Sequence, residues 1–194
     1  MDFSLSSEHE ILRSSIKEFV DKEVISAIKD YDLTEDFFPP LSKMAEMGLL
    51  GICFPEEYDG SGMDYLALAI ACEELERGDT SLRVVMSVHV GLISCAIYQW
   101  GTEDQKRYFL SKLCKGEKIG TFGLTEPCCG SDVGNIRTCA VKEGDHYIIT
   151  GQKNWISMAN KADYFLIIAR TDERKSGVGG LTAFIVDRLS LIHI

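Results

Sequence analysis

The sequence predicts an α+β chain in which an N-terminal all-α helical domain, residues 1–117, precedes a truncated antiparallel β-barrel-like domain, residues 118–188. Apolar residues recur at helical spacing as far as about Cys114. From Ile119 onward, short β-rich runs separated by turn residues replace that spacing. Helices and strands do not alternate, and the sequence has neither Gly-x-Gly-x-x-Gly nor a Walker loop. A doubly wound nucleotide-binding fold is therefore disfavoured.

The first helix is predicted from a capping box, in which Ser7 and Glu10 stand three residues apart, and from the apolar series that follows it. The members of that series are Leu12, Ile16, Phe19, Val20 and Val24. Residues 36–40 interrupt the pattern. We expect a short helix from about Leu41 that ends at Gly48, because glycine suits the left-handed helix stop.

Turn residues also bound the remaining helices. Residues 51–64 are predicted to form a turn-rich loop, with Asp64 capping the next helix. The predicted buried face of that helix consists of Leu66, Ile70, Ala71 and Leu75. A break at 78–80 precedes the apolar stretch 82–100, whose few charges favour the centre of a helical bundle. Thr102 and Gln105 form a capping box for a last helix.

The second half contains six β-rich runs. They are 119–124, 136–142, 146–151, 154–157, 164–169 and 181–186. Residues 143–145, Glu-Gly-Asp, are predicted to be the tip of a hairpin.

Composition excludes several classes of partner. The net charge of −10 and the pI near 4.9 oppose nucleic-acid binding, which needs a cationic surface. Apolar runs such as 165–169 are too short to span a bilayer, so we expect no membrane span. The N-terminus lacks the features of a secretory or transit segment, and the seven cysteines include no Cys-x-x-Cys pair. We expect free thiols in a reducing compartment, the cytoplasm or the mitochondrial matrix as a mature chain.

No metal site is expected either. His89 lies within the apolar stretch, without a second His or Cys at metal-ligand spacing. A buried histidine whose hydrogen bonds are satisfied is therefore favoured over a metal ligand.

Residues 122–132, Phe-Gly-Leu-Thr-Glu-Pro-Cys-Cys-Gly-Ser-Asp, are the first segment that indicates chemistry. A β-run there passes into a loop of small and hydroxyl residues. Such a loop can present several backbone amides and hydroxyls to one planar polar ligand. The alternative is an ordinary strand that ends in a Pro and Gly turn.

Residues 151–157, Gly-Gln-Lys-Asn-Trp-Ile-Ser, are the second such segment. In a strand, Trp155 and Ser157 would face the same side, so an aromatic plane would lie beside a hydroxyl. A flavin ring needs a flat surface for stacking and a donor for its ring nitrogen. The alternative makes Trp155 a core residue and Ser157 a solvent-exposed hydroxyl.

Together, these segments resemble acyl-CoA dehydrogenases. The middle β domain of that family carries aromatic-x-x-Thr-Glu-Pro-x-x-Gly-Ser-Asp, followed by Gly-x-Lys-x-Trp-Ile-Thr/Ser. Both patterns stand here in order. Residues 54–62, 72–75 and 101–106 are also similar to the family, so the resemblance covers nearly the whole chain.

The resemblance implies a set of residues that bind FAD. They are Phe122, Gly123, Leu124, Thr125, Glu126, Pro127, Cys128, Cys129, Gly130, Ser131, Trp155, Ile156 and Ser157. In the family, Leu124 and Thr125 would lie against the pyrimidine edge of the flavin, and Ser157 near N5. Ser131 would also position the pantetheine arm of the substrate. Glu126 is not the catalytic base, a role that the family gives to another glutamate.

The implied reaction is FAD-dependent α,β-dehydrogenation of an acyl-CoA thioester, with a short, medium or dicarboxyl-derived acyl group. The implied partners are an electron-transferring flavoprotein and further copies of the chain, commonly in a tetramer. The family's base lies in a C-terminal domain, so no residue here is assigned to catalysis. Residues 189–194 do not resemble the family, and we expect them to be a non-native tail.

Two alternatives remain open. An acyl-CoA oxidase of the same superfamily would share these motifs and pass electrons to oxygen. A catalytically inert fragment would also carry them. Cys128 and Cys129 depart from the family pattern, which has small residues there. Simple packing is the favoured role of these two cysteines, against a thiol beside the flavin or a vicinal disulfide.

Overall fold

The computed structural model describes residues 4–26, 28 and 38–191. The chain divides into two compact units, Met1–Lys118 and Ile119–Ile194. The first contains helices and the second contains strands, as expected for an α+β chain.

The helical unit is built from helices with short π-helical and 3-10 turns between them. Its α-helices are α1 (Ser7–Phe19), α2 (Phe38–Glu46), α3 (Tyr65–Gly78), α4 (Thr80–Val85), α5 (Cys95–Trp100), α6 (Glu103–Gln105) and α7 (Ser111–Cys114). π-Helical stretches continue three of them, at Val20–Val24, Met86–Ser94 and Lys106–Leu110. The 3-10 turns are Leu49–Gly51 and Glu56–Tyr58.

The predicted caps of two helices are confirmed, and that of α1 is wrong. Asp64 accepts a hydrogen bond from the amide of Ala67, and Thr102 and Gln105 make both bonds of a capping box. Helix α1 is capped by Ser6, whose hydroxyl accepts from the amide of His9, instead of by a Ser7–Glu10 box. The extended backbone of Ser6 directs its hydroxyl at that amide, whereas Ser7 is already helical.

The buried faces follow the apolar spacing, with one exception. On the first helix, Ile16, Phe19, Val20 and Val24 of the apolar series are buried, whereas Leu12 is half-buried. On α3, Ala67 is buried with Ile70, Ala71 and Leu75, whereas Leu66 is exposed, against the prediction. A face centred on residues 67, 70, 71 and 75 repeats at three and four positions, and residue 66 lies outside it.

The short helix α2 starts earlier than predicted. It begins at Phe38, before the predicted start at Leu41, because prolines are tolerated in the first turn of a helix. Gly48 has φ of 72°, so the predicted left-handed stop is confirmed. Residues 36 and 37 of the predicted break lie outside the described residues.

The apolar stretch forms one helix of 21 residues from Thr80 to Trp100, and an 18-residue stretch within it has a mean hydropathy of 1.6. By length and composition alone, this helix could cross a membrane. The expectation of no membrane span cited the short run at 165–169, which is not the longest apolar stretch of the sequence. The core helix of a globular bundle has the same composition. Met86, Val90 and Ile93 are fully buried within the unit, as in such a core helix.

The described part of the β unit, residues 119–191, contains one sheet. Its strands are β1 (Gly120–Gly123), β2 (Cys139–Glu143), β3 (His146–Thr150), β4 (Tyr164–Arg170) and β5 (Leu181–Asp187). Strands β2 and β3 form an antiparallel hairpin, and Gly144 at its tip has φ of 64°, as the predicted turn requires. The 3-10 turns of this unit are Val133–Asn135, Gly177–Gly180 and Arg188–Ser190.

The sheet is mixed, so the prediction of an antiparallel barrel is wrong in that detail. Strand β4 pairs antiparallel with β5 but parallel with β1, and one parallel register pair joins β4 to β2. The strands described do not close into a barrel. Strand β4 lies between neighbours on both edges and is buried from Tyr164 to Ile167, which explains its nearly continuous apolar sequence.

Residues 154–157 are not a strand, although their sequence predicts one. They form turns and irregular backbone, in which Trp155 has φ of 59°. This left-handed conformation costs a non-glycine residue about 1 kcal/mol or more, so surrounding contacts must hold it.

Candidate cofactor-binding site

The two segments singled out in the sequence, 122–132 and 151–157, lie against each other in the β unit. The amide of Asn154 donates to the carbonyl of Thr125 at 2.8 Å. The ammonium group of Lys153 donates to the carbonyl of Leu124 at 2.9 Å. The hydroxyl of the buried Thr121 donates to the carbonyl of Ser157 at 2.6 Å. Segments nearly 30 positions apart in sequence therefore form one surface.

A buried ion pair connects these segments. Lys153 Nζ lies 2.8 Å from Glu126 Oε1, and side-chain exposure is 10% for the lysine and 3% for the glutamate. The amide of Arg137 donates to Glu126 Oε2 at 2.7 Å, and the amide of Thr138 donates to Oε1 at 3.0 Å. The carboxylate thus receives one charged donor and two backbone donors.

These donors decide the charge of Glu126. Burial by itself raises the pKa of this carboxyl, but the hydrogen bonds from Lys153 and from the amides of Arg137 and Thr138 outweigh it and lower the pKa to about 2. A carboxyl group with so low a pKa is a poor proton acceptor at neutral pH. The geometry makes Glu126 an anchor that joins the two segments to the residues just before β2.

A tight turn follows Glu126. The amide of Glu126 donates to the carbonyl of Cys129 at 2.9 Å, and the amide of Cys129 donates back to the carbonyl of Glu126 at 3.2 Å. Cys129 is buried, whereas the loop residues Pro127, Cys128, Gly130 and Ser131 are exposed. The loop therefore presents small side chains and backbone to its surroundings, as its composition predicts.

The second segment is exposed at the predicted contact residues. Trp155 is 90% exposed, Ser157 is exposed and Ile156 is half-buried. The predicted alternative that makes Trp155 a core residue is therefore wrong. The prediction that Trp155 and Ser157 face one side of a strand is also wrong, because residues 154–157 do not form a strand. Lys153 and Asn154 hold it in place instead.

The residues present fit a planar aromatic group. An indole with 90% of its surface exposed offers a free apolar face, which a monomeric surface rarely leaves uncovered. Of the first segment, Phe122, Leu124 and Thr125 are half-buried and Gly123 is buried. The exposed hydroxyls of Ser131 and Ser157 supply polar partners.

An open groove of about 510 Å³ borders the first segment, and Cys128, Asp132, Asn135 and Arg170 contribute to its lining. Arg170 donates to the carbonyls of Gly134 at 2.7 Å and Lys175 at 3.0 Å. This arginine thus fixes the loop after the first segment against the loop before β5.

Sequence reasoning missed the roles of Lys153 and Arg170. The sequence contains a signal for Lys153, because this lysine belongs to the second of the two motif segments and Glu126 belongs to the first. Their pairing requires the fold, since 27 positions separate them. Arg170 ends an apolar strand, where a charge suggests only the strand terminus.

Family models match both units. The model of the acyl-CoA dehydrogenase N-terminal domain matches residues 6–117, and that of the middle domain matches residues 121–191. A short-chain specific acyl-CoA dehydrogenase of Clostridium acetobutylicum is 44% identical, with 97% of this chain and 50% of that protein aligned. The chain spans about half the length of the curated relatives it matches.

Solved structures agree. A glutaryl-CoA dehydrogenase in complex with glutaryl-CoA has a TM-score of 0.92 at 38% identity, covering 96% of this chain and 48% of that one. A Mycobacterium smegmatis glutaryl-CoA dehydrogenase in complex with FADH2 has a TM-score of 0.86 at 32% identity, covering 94% and 46%. A prolyl acyl carrier protein oxidase has a TM-score of 0.87 at 32% identity, covering 95% and 50%.

Both domain matches, the 44% identity and the position of the Thr-Glu-Pro loop beside the Lys-x-Trp segment agree, and the chain therefore belongs to the acyl-CoA dehydrogenase family.

Proposed function

We propose that this chain forms the flavin-facing part of an FAD-dependent enzyme that removes hydrogen from Cα and Cβ of an acyl-CoA thioester. The observation that carries the proposal is the assembly of 122–132 and 151–157 into one surface, pinned by Lys153 and Glu126, with Trp155 exposed beside it. A relative solved with FADH2 supports the cofactor.

The proposed binding residues are those of the two segments, 122–131 and 155–157. Trp155 supplies an apolar face for stacking, Thr125 and Leu124 border the ring edge, and Ser157 supplies a hydroxyl donor. When bound, FAD supplies a two-electron acceptor for the hydride that leaves Cβ. Ser131 lies on the exposed loop, where it is proposed to bind both cofactor and substrate.

Proton removal from Cα is not assigned to this chain. Glu126 is held ionised by three donors and has little basicity at neutral pH. The proposal therefore places the base in sequence outside residues 1–194, as the resemblance implies. In this proposal, the chain's contribution is to bind and orient the cofactor and thioester.

The substrate and partners extend the same proposal. A short-chain specific relative and a relative solved with glutaryl-CoA support a short or dicarboxylic acyl group. An electron-transferring flavoprotein is the proposed acceptor, and a tetramer the proposed assembly of the whole enzyme. All seven cysteines are free, which supports a reducing compartment such as the cytoplasm or the mitochondrial matrix.

Flavin retention tests the proposal. Residues 1–194 are expected to lose absorbance at about 450 nm after gel filtration, because half of the site is missing. A hybrid that joins residues 1–187 to the C-terminal half of the Clostridium relative is expected to retain the chromophore and to oxidise butyryl-CoA with an artificial acceptor. A folded hybrid without flavin would contradict the proposal.

An oxidase is the second candidate, and the similarity to the prolyl acyl carrier protein oxidase favours keeping it. Reoxidation of the reduced hybrid in air distinguishes the two. Rapid turnover with oxygen alone supports the oxidase, whereas turnover that depends on an added acceptor supports the dehydrogenase. Replacing the CoA ester with an acyl carrier protein thioester tests the carrier in the same assay.

A further inference from the structure

Two adjacent thiols converge at the first segment. Cys128 Sγ lies 3.8 Å from Glu126 Oε2, and Cys129 Sγ lies 3.9 Å from the same oxygen. The ligand atoms of these three residues all lie within 4.8 Å of one another. Adjacent side chains of an extended strand would point to opposite faces, so the convergence is a property of this turn.

The turn holds the pair ready for a ligand. The reciprocal backbone hydrogen bonds between Glu126 and Cys129 close the loop, and Pro127 within it has a fixed φ. Because the backbone is already ordered, a ligand that bridges the sulfurs loses less conformational entropy on binding. Cys128 is exposed and provides the point of entry, whereas Cys129 is buried.

The surroundings decide which ligand fits. The carboxylate of Glu126 already accepts from Lys153, Arg137 and Thr138, so it offers little to a metal ion. The ammonium of Lys153 also repels a divalent cation. A soft atom that binds only the two sulfurs does not need an oxygen from Glu126. If it carries no net charge once bound, the ammonium of Lys153 does not repel it.

We propose that Cys128 and Cys129 form a vicinal dithiol site that captures trivalent organic arsenicals. Phenylarsine oxide reacts with the two thiols to give a cyclic dithioarsinite and one water molecule. Two S–H bonds and the arsenic–oxygen bonds break, two arsenic–sulfur bonds form, and both protons leave in the water. Arsenic remains trivalent, so no oxidant or reductant is required.

The other cysteines compete poorly. Burial raises the pKa of Cys53 to about 11 and that of Cys114 to about 12, which lowers their reactivity. Burial and the charge of Glu126 also raise the pKa of Cys129, so the exposed Cys128 reacts first and Cys129 closes the ring in an intramolecular step. Cys72, Cys95 and Cys139 are half-buried, and Cys139 serves as a control within the β unit. Among the seven free cysteines, Cys128 is the exposed one.

Intact mass spectrometry of residues 1–194 with equimolar phenylarsine oxide tests the proposal, independently of flavin. One adduct is expected, stable to excess 2-mercaptoethanol and removed by 2,3-dimercaptopropanol. Cys128→Ser and Cys129→Ser are each expected to weaken retention by about a hundredfold, because the second arsenic–sulfur bond is an intramolecular step. Cys139→Ser is expected to retain the adduct.

Peptide mapping and circular dichroism complete the test. An adduct that persists in Cys128→Ser, maps to the Cys53, Cys95 or Cys114 peptides, or never forms would overturn the proposal. Should Cys129→Ser disturb the fold, Cys128→Ser still decides the outcome, because Cys128 is exposed and lies outside the core.

Discussion

Each unit buries an ionisable side chain, and the two burials are stabilised in opposite ways. In the helical unit, His89 is fully buried with Nε2 3.0 Å from the carbonyl of Leu113, and burial lowers its pKa to about 4. In the β unit, Glu126 is buried as an ion, with Lys153 and two amides around it. The helical unit keeps its group neutral, whereas the β unit supplies donors that keep its group charged.

The two buried groups have different roles, since His89 is part of the packed core and Glu126 holds the candidate site together. A neutral imidazole needs one or two hydrogen bonds within an apolar helix, so His89 behaves as the buried, satisfied histidine expected from sequence. A buried carboxylate needs several convergent donors, and these tie together three segments of chain. The charged group is thus the one that organises the candidate site.

Breaking the buried pair should produce the largest effect. Lys153→Met leaves Glu126 buried without its cation, and we expect the free energy of unfolding of the β unit to fall by about 3 kcal/mol. Urea denaturation measures the loss. Lys142→Met, at an exposed position on β2, is expected to change it by less than about 0.5 kcal/mol. The double variant Glu126→Gln, Lys153→Met should recover part of the lost free energy of unfolding. If Lys142→Met and Lys153→Met had equal effects, the pair of Glu126 and Lys153 would not anchor the site.

Acid should weaken the two units in sequence. His89 has a pKa of about 4, below its usual 6.5, so its stabilisation is complete above pH 6.5 and is lost as pH falls through 4. Glu126 has a pKa of about 2, below its usual 4.5, so its stabilisation is complete above pH 4.5 and is lost as pH falls through 2. For each group, the free energy of unfolding falls by about 3 kcal/mol in total across its own pH range.

The two tryptophans allow this order to be measured, because Trp100 lies in the helical unit and Trp155 in the β unit. Trp155→Phe leaves fluorescence from the helical unit, and Trp100→Phe leaves fluorescence from the β unit. Urea midpoints between pH 7 and pH 3 should fall first for the helical unit. If the urea midpoints of both units fell at the same pH, the expected difference between His89 and Glu126 would be refuted.

A close backbone approach beside the anchor gives a smaller effect. A Cβ at Gly151 would lie 2.6 Å from Thr138 Cα, and the amide of Thr138 is one of the donors to Glu126. Gly151→Ala should therefore lower the free energy of unfolding by about 2 kcal/mol. Gly130→Ala is the matched control, since nothing lies within 4 Å of its added Cβ. Thermal denaturation compares the two, and a neutral Gly151→Ala would contradict the tight contact.

The exposed side of the site should contribute least to stability. Trp155→Ala removes a side chain that is 90% exposed, so the free energy of unfolding should change by less than about 0.5 kcal/mol. In the hybrid enzyme, the same change should release the flavin. Trp100→Ala, also at an exposed tryptophan, should keep it. Flavin absorbance after gel filtration is the readout, and retention by both variants would remove Trp155 from the proposed site.

Local signals account for most of the helices and strands but not for the pairing. Asp64, Thr102 and Gly48 act through neighbours within four positions, which the sequence displays. The parallel pairing of β1 with β4 joins residues far apart in the chain, whereas the succession of short β-rich runs and turns suggested an antiparallel sheet. Residues 154–157 have strand-forming side chains, yet bonds from Lys153 and Asn154 to the first segment override that preference.

The candidate site likewise has features that the sequence predicts and features that depend on the fold. The motif residues could be named from sequence, because the family pattern is local. The Glu126–Lys153 pair, the left-handed backbone of Trp155 and the convergence of Cys128 and Cys129 could not, since each depends on how distant segments or tight turns orient side chains.

The parallel pairing of β1 with β4 has a consequence for how the β unit folds. The amide of Ile119 binds the carboxylate of Asp163, 44 positions away, at the start of that pairing. The hairpin of β2 and β3 can form rapidly from local contacts, whereas the β1–β4 ladder must first close a long loop. Residues 122–126 and 153–157 adjoin only after that closure. A newly made chain is therefore expected to assemble the candidate site in a late folding step.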